Sequence, residues 1–413
     1  MTQAISEVLG ETTGVTSSPF DGQQPAIGAA YAPFSFTAKR FMLHKLAERA
    51  GAAVPRTDFS PVLKNFLVRL RPDSLSLTAT DLELAVIAST TAVTAELPGD
   101  VAELTAVLPA KRLIAILAEA PEGDVTISVS GDQATVTAGP ASWVLHLGSD
   151  GKDYPQVAKD ISELQEVPRR PLLDALRTVR YAVSKTSPEL AQVSIAPGTD
   201  GVMCVTACDR NRLARVLLKG FPVAMRIPTI SGAVDALIKL LSDSEADSIK
   251  VATAGSKLVF SVGSVMLIAS RLGKEFPDVE KLLLAPVLAN DQKLTVDRAE
   301  LRGALRRVRI NADATTSALS MQASTGKLTL TSRDTAGNKA QETIVAAWDG
   351  PSRSMVINHG YLDQMLAAHP APSCVFALGK DVGKRRTPLL LADPGSGTTG
   401  VITQMSVSKA IGY

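Results

Sequence analysis

The chain has 413 residues, of which 45% are hydrophobic and 20% charged, with a formal net charge of +2. That is a soluble, globular composition too long for one core, so two to four domains are expected. A near-neutral charge excludes a global field that favours nucleic acid, no apolar run approaches the ~18 residues that span a bilayer, and three cysteines make no even disulfide framework.

Residues 1–33 are rich in Gly, Ser, Thr and Gln without a period, and read as a disordered N-terminal extension. No Lys or Arg occurs before Lys39, so the basic start of a secretory signal is missing and a cytoplasmic protein is expected. Beyond this stretch the chain makes three similar passes.

The first pass (34–158) opens with a helical pattern, "TAKRFMLHKLAERAG" (37–51), which carries Lys39, Arg40, Lys45 and Arg49 against Glu48. An alternating strand follows, "LSLTATDLELAV" (75–86), which turns at Asp81. A second helix is expected near 109–119, then two hairpin strands and a closing Pro155. The second pass (159–285) repeats this order. "PRRPLLDALRTVRYAV" (168–183) carries Arg169, Arg170, Arg177 and Arg180 with Asp174 as its only acid. "MCVTACDRNRLARV" (203–216) turns at Asp209, a helix is expected near 230–241, and Pro277 closes the unit.

The third pass (286–413) has "VDRAELRGALRRVRIN" (296–311), then "LTLTSRDTAGNKA" (328–340) turning at Asp334, then a helix near 358–368. The three turn aspartates lie 128 and 125 residues apart, one domain length. Three tandem domains of two helices and roughly eight strands each define an α+β fold, with antiparallel sheets and helices gathered on one side.

The charge is patterned on the first helix of each pass. In the third, Leu301, Leu305 and Val308 form an apolar stripe, and Arg298, Arg302, Arg306 and Arg309 follow one residue further on. A single charge run is ordinarily a solvated helix face. Its recurrence on three corresponding helices favours a shared basic surface, suited to phosphate contact without base reading.

Catalytic patterns fail one by one. Gly395, Gly397 and Gly400 fit G-x-G-x-x-G, but "PLLLAD" before them and "VITQMSV" after them read as two strands of a hairpin. Histidines 44, 146, 359 and 369 make no metal-spaced set, so no metal or cofactor is expected. Cys204 and Cys208 read as small buried hydrophobes, and a hydrolase using Cys208 and Asp209 is the weakest reading.

At this point the chain resembles the bacterial DNA polymerase III beta subunit (sliding clamp) family. The resemblance is carried by "FSPVLKNFLVRLRPDSLSLTATDLELAV" (59–86), "VLPAKRLIAILAEAPEG" (107–123), "FPDV" (276–279) and "INHGYL" (357–362), and covers about residues 34–407. It implies a non-enzymatic ring. Each domain is a pseudo-two-fold pair of sheet and helix units, two subunits close head to tail, and the basic helices face duplex DNA sequence-independently. Arg56 falls near a DNA-touching loop arginine of the family.

The family's subunit interface places Trp143 and Leu145 on one edge strand and Ile310 and Asn311 opposite, Asn311 standing where an apolar residue is usual. Its pocket for partner peptides, between the second and third domains, implies Leu190, Cys208, Arg210, Arg212, Leu213, Pro277, Lys281, Leu282, Thr316, Asn358, Tyr361, Pro388 and the terminal run Val401, Ile402, Thr403, Gln404, Met405, Ser406 and Val407. Where the family reads Thr-Asp-Gly-His-Arg-Leu, this chain reads Cys208-Asp209-Arg210-Asn211-Arg212-Leu213. Implied partners are the polymerase III catalytic subunit, the clamp loader and other proteins with the clamp-binding motif. A diverged second clamp copy, serving other partners or resisting an inhibitor, is the alternative.

Overall fold

The computed structural model describes residues 31–405 except 57–59, 100, 149–150, 158–160, 199–200, 220, 222–229, 232, 271–275, 280–283, 285–291, 349 and 380–386. Residues 1–30, Lys281, Leu282, Ser406 and Val407 therefore lie outside the described residues. Among the described residues, six helices recur in pairs: α1 (Arg40–Gly51), α2 (Ala110–Glu119), α3 (Arg169–Val179), α4 (Val234–Ser242), α5 (Arg298–Val308) and α6 (His359–Ala368). Within each domain the two helices pack on one another. Each is amphipathic; α3 buries Leu172, Leu173, Leu176 and Val179, at about 2 kcal/mol per side chain.

The strands form four antiparallel sheets, and two of these cross domain boundaries. Leu84–Thr90 of the first domain pairs with Val265–Ser270 of the second, in the register Val265↔Ala88. Arg212–Leu218 of the second pairs with Thr398–Ile402 of the third, in the register Leu213↔Val401. Each resulting sheet has eight strands. Such continuity ties neighbouring domains by ladder hydrogen bonds as well as by side chains.

The outer sheets are smaller and end openly. The five-stranded sheet of the first domain ends on Ala141–His146, and the four-stranded sheet of the third ends on Lys339–Val345. One apolar core runs through the first two domains and another fills the third.

Two expectations need correction. The first strand, Tyr31–Lys39, begins inside the stretch read as an extension and also takes in Thr37, Ala38 and Lys39, which were read as helix. It is held against Asp124–Gly131, with Phe34 and Phe36 buried. The helix of the second domain starts at Val234 rather than near 230, because Ile230 and Ser231 form a short strand.

Candidate functional site

The three turn aspartates have one job. The Asp81 carboxylate accepts from the backbone N–H groups of Glu83 and Leu84, and Asp209 from those of Asn211 and Arg212. Asp334 accepts from Asn338 across a turn one residue longer. Short carboxylates close such turns because they reach their own backbone two or three residues on. Cys208 is buried and its thiol is pushed up to about 12, by burial first and by the neighbouring Asp209 second. A thiol so protonated is a packing group, not a nucleophile at neutral pH. The glycine motif lies in the hairpin joining Leu389–Asp393 to Thr398–Ile402, where Gly397 has φ +70°. Among the described residues no cluster of His, Cys, Asp and Glu could hold a metal ion.

Around the Asp209 turn the second and third domains meet. Cys208, Leu213, Val279, Leu284, Leu390 and Val401 form a buried apolar cluster, rimmed by half-buried Leu190 and Phe276. Half-buried Pro277 precedes Val279, and its carbonyl accepts that residue's N–H. On the other side of the turn lies Arg212, its side chain only 8% exposed. Its Nε donates to the Asp209 carboxylate at 2.9 Å, and Nη1 donates to Gln364 on α6. The guanidinium carbon sits 4.4 Å from the ring centre of Tyr361 and 5.6 Å from that of Tyr181. Two aromatic faces and two polar partners hold one cation, an arrangement suited to Arg and not to Lys.

Asn358 caps α6, its Oδ1 accepting from Gly360 and Tyr361, and Thr316 donates its hydroxyl to Asp313. Thr403 donates to the Asn211 carbonyl, Gln404 to the Thr387 carbonyl beside Pro388, and the Met405 N–H to Val356. Ile402 instead packs into the core of the third domain. A cavity of about 400 Å³ opens between the Asp209 turn, the 184–186 loop and α6, lined among others by Lys185, Arg210, Arg212, Asn358 and Tyr361. Sequence reasoning missed Tyr181, Lys185 and Gln364, which no local pattern marks.

The basic residues divide into two groups. Arg40, Arg169 and Arg298 each open their helix and point at the end of the paired helix. Arg40 Nη1 donates to the Leu117 carbonyl at 3.0 Å, Arg169 Nη1 to Leu241 at 2.7 Å, and Arg298 Nη1 to His369 at 2.7 Å. Arg40 also meets Glu122. A cation at unpaired terminal carbonyls complements the helix dipole, so these three half-buried arginines act as helix staples, a role their reading as DNA contacts did not include.

The second group lies nearer solvent. Lys39, Lys45, Arg56, Arg170, Arg177, Arg306 and Arg309 are exposed, while Arg49, Arg180 and Arg302 are half-buried. Lys39 pairs with Asp124, Arg170 with Asp174, Arg180 with Asp235, and Arg302 and Arg309 both with Asp363. Arg177 donates to Ser242. The Arg180 hydrogen bond draws the Asp235 carboxyl below its usual range.

On the open edges, Trp143 is half-buried, and Leu145 is 3% exposed in the core. Leu145 cannot present its side chain to a partner; Val144, 54% exposed, points outward instead, as the period of two requires. At the other end Ile310 is 79% and Val345 75% exposed, with Asn311 half-buried between core and solvent.

Three tandem domains, paired helices and sheets shared across each boundary define a repeat scaffold of the sliding-clamp type. The N-terminal-domain model of the DNA polymerase III beta subunit matches residues 34–158, and its C-terminal-domain model matches 288–380, together more than half the chain. The beta sliding clamp of Caulobacter vibrioides is 25% identical over 369 residues, 87% of this chain and 95% of that one. That of Chlamydia pneumoniae is 26% identical over 333 residues, 78% of this chain and 87% of that one. The crystal structure of the C. crescentus beta sliding clamp superimposes with a TM-score of 0.83 at 23% identity, covering 91% of this chain and 99% of that one. The chain belongs to the DNA polymerase III beta subunit family.

No helix among the described residues is long and apolar enough to cross a membrane.

Proposed function

We propose that the protein is a DNA sliding clamp, a ring of two head-to-tail copies that encircles duplex DNA and tethers the replicative polymerase. The pair of open sheet edges carries this reading. Ala141–His146 at one end and Lys339–Val345 at the other each pair on one side only among the described residues, and apolar Val144, Val345 and Ile310 stand exposed beside them. An exposed, flat edge invites another strand. Joining five strands to four across two copies would give one continuous nine-stranded sheet, comparable to the eight-stranded sheets at both internal boundaries, and doing so twice closes a ring.

Exposed Lys45, Arg56, Arg170, Arg177, Arg306 and Arg309 would meet phosphates through salt-sensitive contacts that read no bases. A tether raises local polymerase concentration, so a polymerase that lets go rebinds before diffusing away. The catalytic subunit and the clamp loader would dock by short apolar peptides where the second and third domains meet, around Leu190, Leu213, Pro277 and Val401. The decisive test pairs mass in solution with DNA topology. A dimer retained on closed circular DNA and lost when the circle is cut supports the ring; a monomer at micromolar concentration with no such retention rejects it.

A further inference from the structure

The cavity beside the apolar junction has a charge that its own residues do not neutralise. Three cations, Lys185, Arg210 and Arg212, face it with one carboxylate, Asp209. Arg212 and Asp209 satisfy each other, and Arg212 is further held between Tyr181, Tyr361 and Gln364. That leaves Lys185 and Arg210, both exposed, with no carboxylate partner among the described residues. The same turn that carries Arg210 is flanked by Cys208 and Leu213 of the apolar cluster. A ligand would thus meet apolar surface on one side of the turn and unneutralised positive charge on the other.

We propose that this cavity receives carboxylate side chains of a partner peptide whose apolar residues dock on the neighbouring rim of Leu190 and Phe276, with Lys185 and Arg210 reading the negative charge. The proposal rests on the peptide-docking reading above and specifies its chemistry: an acidic segment adjoining an apolar one. Nucleic acid is less suited, because phosphates have no use for the adjoining apolar surface. The arginine carries the sharper part. Its planar fork holds a carboxylate by two parallel hydrogen bonds, whereas Lys185 acts as a point charge.

The test uses the full chain and two fluorescein-labelled peptides with the same Leu-Leu-Phe end, one preceded by three glutamates and one by three glutamines, followed by anisotropy. The acidic peptide is expected to bind about tenfold tighter at low salt. That advantage should shrink to under about twofold at 0.5 M NaCl, where screening is strong, and equally in the double variant Lys185→Ala/Arg210→Gln. Both side chains are exposed, and an unchanged melting temperature of the variant establishes that it folds. Equal binding of the two peptides would overturn the charge preference while leaving the docking reading standing. No binding of either would overturn both, and displacement of the acidic peptide by a duplex oligonucleotide would assign the cavity to phosphate instead.

Discussion

The guanidinium of Arg212, on a strand of the second domain, stacks 4.4 Å from the ring centre of Tyr361, on a helix of the third. This contact joins two domains already linked by the pairing of Arg212–Leu218 with Thr398–Ile402. Strand pairing fixes distance; the stacked cation fixes the angle of α6 against the sheet.

Replacing Arg212 by Ala should therefore cost about 3 kcal/mol, because the Asp209 carboxylate is left with its buried partner gone. Arg212→Lys should recover less than half of that, since the ammonium cannot bridge Asp209 and Gln364 while stacked. Chemical denaturation followed by tryptophan fluorescence measures both. A Lys variant as stable as the parent would show that charge alone matters.

The three staples and the exposed arginines should separate cleanly. Arg298→Met removes a donor to the Leu366 and His369 carbonyls and should cost about 2 kcal/mol, with the salt dependence of DNA binding unchanged. Arg306→Met leaves stability within about 0.5 kcal/mol and should lower the slope of log affinity against log salt by about one. Denaturation and binding titrations at several salt concentrations read the two quantities independently. A slope change in the Arg298 variant would contradict the staple assignment.

Those staples show where sequence reasoning stopped. The repeat of Asp81, Asp209 and Asp334 was legible because each turn is closed within three or four residues by its own backbone. Arg40, Arg169 and Arg298 reach carbonyls more than 70 residues away, so in sequence they look like any other charged helix start. Helix boundaries did not depend on a cap alone: α2 and α3 have no side-chain cap and directly follow strands, yet their starts were placed within one residue. Asp297 and Asn358 cap α5 and α6 with their side chains, and those starts were placed within two residues. α1 has no side-chain cap and continues directly from a strand, and its start was misplaced by three. The apolar junction where docking is proposed was named through resemblance, whereas the polar cavity depends on a loop, a turn and a helix meeting in space.

The edges make a third prediction. Val345→Asp places a charge on a side chain that is 75% exposed, so the subunit should fold normally, within about 0.5 kcal/mol of the parent. In a two-copy ring the same side chain meets the edge of the other copy, and the change should weaken association by roughly tenfold or more. Sedimentation across a concentration series would detect the shift toward monomer. An unaltered dimer would remove this strand from the interface.

The last prediction concerns acid. His359 and His369 both have pKa values below the ordinary histidine range, chiefly because burial disfavours the charged ring. Arg309 adds to this at His359 against Asp363, while at His369 the Ser373 backbone and Asp393 oppose it and Arg298 adds to it. The His369 Nε2 atom is also buried without a hydrogen-bond partner, so a proton placed there would find no acceptor. In the unfolded chain both rings titrate near pH 6.5. A depressed folded value means the unfolded state binds protons first, so the stability is fully present above about pH 6.5 and is lost as pH falls below it. The melting temperature should accordingly decline from pH 7.5 to pH 5.5. In His369→Gln part of that decline should disappear, because glutamine does not titrate. The acid sensitivity should then track the third domain, where both histidines sit, and leave the first two domains melting as before; a parent whose melting temperature is flat across this range would contradict the burial of both neutral rings.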